Sequence, residues 1–155
     1  MLSEIRGDQV AQVRSRGSNM PVRQYQRGVN RYKHVGKENV PKVEKAQNGE
    51  VVGKCPASMS EEHKSELLVQ AIPYITEPPY SADFPKRLFV VDQDGTIYTG
   101  QTTEPGKSYH GCPYAGPIGR RLKEALRKMA RKKGCEGEFN QWIKRYIKDA
   151  GRPDI

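Results

Sequence analysis

The sequence predicts an α+β fold: a small antiparallel β-sheet, built on a hairpin over residues 87–102, packed against C-terminal helices and preceded by a flexible basic N-terminal arm. Three observations predict it. Leu88-Phe89-Val90-Val91 and Thr96-Ile97-Tyr98-Thr99 flank Asp92-Gln93-Asp94-Gly95, so two strands of β-branched and aromatic residues meet at the Asp-Gly dipeptide that tight hairpins favour. Ile118, Leu122, Ala125, Leu126, Met129 and Ala130 recur at the i, i+4, i+7, i+8 spacing of a buried helical stripe. Residues 1–53 hold six glycines and few large aliphatics, which leaves them little with which to build a core.

Taken in order, Met1–Val13 has the apolar spacing of a short helix (Leu2, Ile5, Val10, Val13), weakened by Gly7. Arg14, Arg16, Arg23, Arg27 and Arg31, interspersed with Tyr25 and Tyr32, suit either an arm that orders on nucleic acid or a linker from a longer parent protein. The expected organisation is therefore an arm or linker over 1–53 and a compact α+β domain over 54–155. Ser58-Met59-Ser60-Glu61 reads as a capping box opening a helix with Leu67, Leu68, Ala71 and Ile72 as its stripe, and Pro73 marks its end. Four prolines over 73–85 predict an extended connector. The hairpin must be covered by a further strand or a helix, because two strands alone are marginal in water. Residues 103–116 read as a loop. Pro117 suits a first helical position and Gly134 a stop. A last helix is expected over about 137–149, with Phe139, Trp142, Ile143, Tyr146 and Ile147 as its apolar stripe.

Charge is large and segregated. The 155 residues carry 27 Lys and Arg against 18 Asp and Glu, a formal net charge of +9. Residues 51–116 hold five basic and eight acidic side chains, whereas 117–149 hold eleven basic and four acidic. Such a field favours nucleic acid, an acidic membrane surface or an acidic protein partner. Eight of the fourteen residues from Arg120 to Lys133 are cationic, with Glu124 the one acid among them. A helix built for stability alone would intersperse carboxylates, because close like charges repel. The uncompensated array points to a face that tracks phosphates.

Cys55, Cys112 and Cys135 are odd in number, and their separations of 57 and 23 match no zinc pattern, which favours a reducing environment over a disulfide framework. The absence of an 18-residue apolar run predicts no transmembrane helix and no membrane partner, and Met1–Ser18 lacks the apolar centre of a signal peptide. The expected site of action is cytoplasmic, reached by another route if the chain is delivered as part of a larger protein.

Ser108-Tyr109-His110-Gly111-Cys112-Pro113-Tyr114 sets a histidine between aromatics just ahead of the cationic helix. His is the side chain whose ordinary pKa lies nearest neutrality, so it suits proton transfer on an anionic substrate. Metal-independent RNA cleavage needs a base for the 2′-hydroxyl, an acid for the leaving oxygen and a cation for the phosphorane charge. His110, with Tyr109 beside it, is the candidate acid–base group. Arg120 and Arg121 are candidates to hold the phosphate, and Glu124 to orient an arginine or act as a second acid–base group. Lys123, Arg127, Lys128 and Arg131 would guide the backbone, and Tyr98 and Tyr114 would offer rings for stacking. The reading is a nuclease acting on nucleic acid, RNA ahead of DNA, with no cofactor required. The alternatives are a nucleic-acid-binding module without turnover, a protein that docks an acidic partner, and an enzyme acting on a small anionic molecule such as a nucleotide.

Two resemblances bear on this. Gly53-Lys54-Cys55-Pro56, the helix ending Ala71-Ile72-Pro73, and Gly106-Lys107-Ser108-Tyr109-His110-Gly111-Cys112-Pro113 resemble the C-terminal toxin domains of bacterial polymorphic toxins, in which a YHG-x-P loop precedes a helix-rich end. Tyr109 and His110 match that loop, and Cys112 stands where an aromatic is expected. The resemblance implies a toxin delivered between bacteria, directed at nucleic acid and neutralised by an immunity protein. The hairpin itself is similar to the paired strands of GIY-YIG nucleases: Tyr98-Thr99-Gly100 matches the second signature, while Phe89 stands where the first has tyrosine. That resemblance implies a divalent metal.

Overall fold

The computed structural model of the chain describes residues 23, 25, 36–45, 51–74, 76, 78–102 and 109–149. The helix expected over Met1–Val13, the arginines at 14, 16, 27 and 31, Tyr32 and loop residues 103–108 lie outside the described residues.

The centre is an antiparallel meander in the order β3-β4-β5-β6, made of β3 (Ile72–Pro73), β4 (Arg87–Val91), β5 (Ile97–Gln101) and β6 (His110–Pro113). The expected hairpin is its core. Val91 pairs with Ile97 and Arg87 with Gln101, and the turn closes through Gly95 at φ +86°, where a Cβ would be strained. Alternation sends the strand residues to two sides. Leu88, Val90 and Tyr98 pack on Leu67 and Leu68 of α1 (Glu61–Gln70). Phe89, Val91 and Ile97 pack on Leu122, Leu126 and Ala130 of α2 (Arg120–Lys132) and on Phe139 and Trp142 of α3 (Glu136–Tyr146). The sheet thus packs against the C-terminal helices as expected, and α1 covers its other side. Burial on both sides explains why β4 reads as an unbroken apolar run.

Two short pairs complete the described fold. β1 (Lys42–Lys45) and β2 (Val51–Lys54) form an antiparallel hairpin, and β2 lies against β6 so closely at Gly53 that a Cβ there would collide with the Pro113 carbonyl. β7 (Gly116–Ile118) runs parallel to β8 (Ile147–Asp149). This last pair corrects two expected helix ends. Pro117 lies in β7, so α2 begins at Arg120 with Gly119 as its cap. The final helix stops at Tyr146, not 149, because residues 147–149 spend their backbone groups on β7. The loop expected over 103–116 contains β6, so His110 stands on a strand. At α1 the cap is Ser60, whose side chain accepts from the His63 N–H at 3.0 Å, rather than Ser58.

The arm meets the domain at Arg23, which is only 4 % exposed. Its guanidinium donates to the carbonyls of Leu68 (2.8 Å), Ala71 (3.1 Å), Asp83 (2.7 Å) and Ala82 (3.2 Å). The last turn of α1 has no basic residue of its own, so a side chain some 45 positions earlier caps its end, adding a charged donor to the Leu68 carbonyl, which also accepts the Ala71 N–H, and supplying one to the Ala71 carbonyl. Burial lowers the Arg23 pKa from its ordinary value.

Candidate nucleic-acid interface

α2 sorts its cations into two groups. Arg127 pairs with Glu124 at 2.7 Å and lies over the Phe139 ring at 5.6 Å. Arg131 makes two bonds to Glu136, at 3.0 and 2.9 Å, which raise its own pKa and lower that of the glutamate. Lys133 donates to the Val91 carbonyl at 2.6 Å and the Gln70 amide oxygen at 2.5 Å, and desolvation lowers its pKa. These contacts tie α2 to α3, β4 and α1. The remaining five, Arg120, Arg121, Lys123, Lys128 and Lys132, have no carboxylate partner among the described residues.

At 100° per residue, Arg121, Lys128 and Lys132 fall on one stripe of the solvent side; Arg120 lies about 100° round from it, and Lys123, half-buried, lies on the far flank beside the core face. Arg120, Arg121, Glu124 and Lys128 border an open hollow of about 320 Å³ at the start of the helix. Gly119 brings no capping side chain to this end. The first-turn N–H groups and the helix dipole therefore add positive potential where the two arginines stand.

His110 does not border that hollow. Register places it opposite Gln101, which pairs in turn with Arg87, so the three form a row across the sheet. Since paired residues share a side, the row lies on the side that carries α2, with His110 about 10 Å from Arg87 at two strand spacings. α2 begins at this same end of the sheet: Leu122 and Arg87 border one hollow, whereas Met129 Sδ meets the Val91 N–H at the turn end. The register and the start of α2 thus place His110 on the side and at the end of the sheet where α2 begins, but the imidazole does not line the hollow that Arg120 and Arg121 border. Glu124 is engaged with Arg127.

The tyrosines part company. Tyr109 has no exposed surface; its hydroxyl donates to the Pro85 carbonyl at 2.6 Å, and burial pushes its pKa to about 12. Tyr98 is 5 % exposed on the α1 side, its hydroxyl has no hydrogen-bond partner among the described residues, and burial raises its pKa. Neither ring can stack on a base in this conformation, and neither hydroxyl sits where a proton can be exchanged with a substrate on α2. Tyr114 is half-buried, donates to the Pro117 carbonyl at 2.9 Å and packs edge-on to Phe89 at 5.1 Å. Sequence reasoning missed Arg87 and Tyr74. The available signal was Arg87 standing two residues before Phe89, hence on the same side of the strand.

A histidine–carboxylate pair forms at the opposite end of the sheet, about 17 Å away along five residues. His63 Nε2 meets Asp92 at 2.9 and 3.0 Å, and Asp92 also accepts from the Gln93 N–H at 2.7 Å. It clamps α1 to the β4–β5 turn. Cys55 and Cys135 are buried, and none of the three cysteines forms a disulfide among the described residues. Among the described residues no three His, Cys, Asp or Glu side chains stand together as metal ligands. No described helix is long and apolar enough to cross a membrane. Comparison with protein-family models, curated proteins and solved structures finds no match to this chain.

Proposed function

We propose that this chain binds nucleic acid, with the phosphate backbone lying along the solvent side of α2. One observation carries the reading: of eight cations on and just after the helix, five have no carboxylate partner among the described residues, while the other three are used to hold the fold. From Arg120 to Lys132 the helix rises about 18 Å, the length of roughly five nucleotides of one duplex strand. Mutual repulsion of those charges is relieved when phosphates replace it. The test is a mobility-shift titration with labelled RNA and DNA. Reversing the stripe (Arg121→Glu, Lys128→Glu, Lys132→Glu) is expected to abolish binding. Tight binding to an acidic protein together with no affinity for either polyanion would overturn the reading.

A second reading adds turnover: phosphodiester cleavage, RNA ahead of DNA because the 2′-hydroxyl supplies an internal nucleophile, with His110 as the acid–base group. The alignment of His110, Gln101 and Arg87 at the end where α2 begins favours it. Delivery as a toxin with an acidic immunity protein belongs to this same reading. His110→Ala is expected to retain binding and lose cleavage; cleavage by that variant at the parental rate would remove His110 from the chemistry.

A further inference from the structure

Where β7 leads into α2 lies a second hollow, of about 190 Å³, bordered by Tyr74, Arg87, Phe89, Tyr114, Ile118 and Leu122. Phe89 stands between two tyrosines that reach it from opposite flanks of the sheet. Tyr74 follows β3 and lies edge-on to it at 5.6 Å and 86°; Tyr114 follows β6 and lies edge-on at 5.1 Å and 83°. Arg87 has no carboxylate partner among the described residues. Its backbone carbonyl accepts the Tyr74 N–H at 2.9 Å, which sets that tyrosine beside it. The hollow is thus walled by rings, carries one guanidinium, and reaches α2 at Leu122, the residue that follows the two arginines of its first turn.

We infer that this hollow seats one unpaired nucleobase of a single strand whose phosphates lie on Arg87, Arg120 and Arg121. The inference rests on the nucleic-acid reading above and names its substrate class. The volume is that of about six waters at liquid density, the scale of one heterocycle rather than a stacked pair. Rings and a guanidinium plane are what a base's π-face prefers, and arginine supplies the charge that an apolar groove for a protein helix would not need. A base in a duplex is already stacked and paired, so seating it costs a few kcal/mol of unstacking that a single strand does not incur.

The unaltered chain provides the first test. At fixed salt, a single-stranded oligonucleotide of about eight bases should bind at least tenfold more tightly than a duplex of the same length, and an abasic strand should lose that advantage. Trp142 reports the site, because its indole N–H donates to the Tyr114 carbonyl at 2.8 Å and it is the chain's one tryptophan. Uridine monophosphate at millimolar concentration should change its fluorescence, and inorganic phosphate should not. Tyr74→Leu should weaken single-strand binding about five- to a hundredfold, with the salt slope and duplex binding unchanged, while Tyr74→Phe stays within about twofold of the parent. Equal affinity for single strand, duplex and abasic strand would overturn the inference and leave the nucleic-acid reading standing. Failure to bind any of them would overturn both.

Discussion

Neutralising the first turn of α2 should change how steeply binding depends on salt, by an amount the structure sets in advance. Each cation that meets a backbone phosphate releases a condensed counterion, so log K falls against log salt with a slope of about −0.9 per contact on duplex DNA and about −0.7 on a single strand. If all five cations of α2 that have no carboxylate partner among the described residues are used, the slope is about −4.5 on duplex and about −3.5 on a single strand. Between 50 and 200 mM salt that is a loss of roughly 500-fold or 130-fold respectively. The double variant Arg120→Gln, Arg121→Gln removes two contacts and should shallow the single-strand slope by about 1.4. Lys133→Gln removes a lysine that donates to Val91 and Gln70, so it should leave the slope within error while lowering stability. The assay is fluorescence anisotropy with labelled oligonucleotides over four or five salt concentrations. A slope near zero in the parent, or one that Arg120→Gln, Arg121→Gln leaves unchanged, would refute the assignment of these cations to a phosphate backbone.

Three further outcomes follow from the packing. Arg23→Ala removes the charged donor shared by four carbonyls, of which Leu68's keeps the Ala71 N–H, and should cost about 3 kcal/mol in urea unfolding, with Arg23→Lys recovering only part because a point ammonium cannot span the fork of acceptors. Gly53→Ala puts a Cβ against the Pro113 carbonyl, where backbone must yield, and should lower stability by about 1–3 kcal/mol by the same measurement. Stability should fall as pH rises from 9 toward 12. Burial pushes the Cys55 thiol to about 11 and Tyr109 to about 12, so the unfolded chain releases these protons first and the folded state is the one that retains them. The Cys55 contribution alone is about 2–3 kcal/mol, present below pH 9 and lost through pH 11. Cys55→Ala should flatten part of that limb in unfolding midpoints taken at pH 7, 9 and 10.5, and an unchanged limb would remove the thiol as its cause.

The strongest elements were legible because their causes are local. The Asp94-Gly95 turn between two β-branched runs, the helical stripe of Leu122, Leu126 and Ala130 and the aromatic stripe of Phe139 and Trp142 each state their own periodicity, and the core is built from them; Ile118, expected on that helix, joins the core from β7 instead. So is the supply of cations on α2. Their division into structural and available groups was not legible, since it depends on Glu136 arriving with α3 and on the Val91 carbonyl and Gln70 presenting themselves to Lys133. Strand β6 was invisible for a similar reason. His-Gly-Cys-Pro has no strand pattern, and it becomes a strand because β5 offers an unpaired edge. That pairing turns His110 toward the α2 side and draws Tyr109 into the interior. The aromatic hollow goes further still, since Tyr74, Phe89 and Tyr114 come from three segments that only the order β3-β4-β5-β6 makes neighbours. Periodicity and charge are written along one dimension; which groups remain free to act is decided by what packs across the sheet.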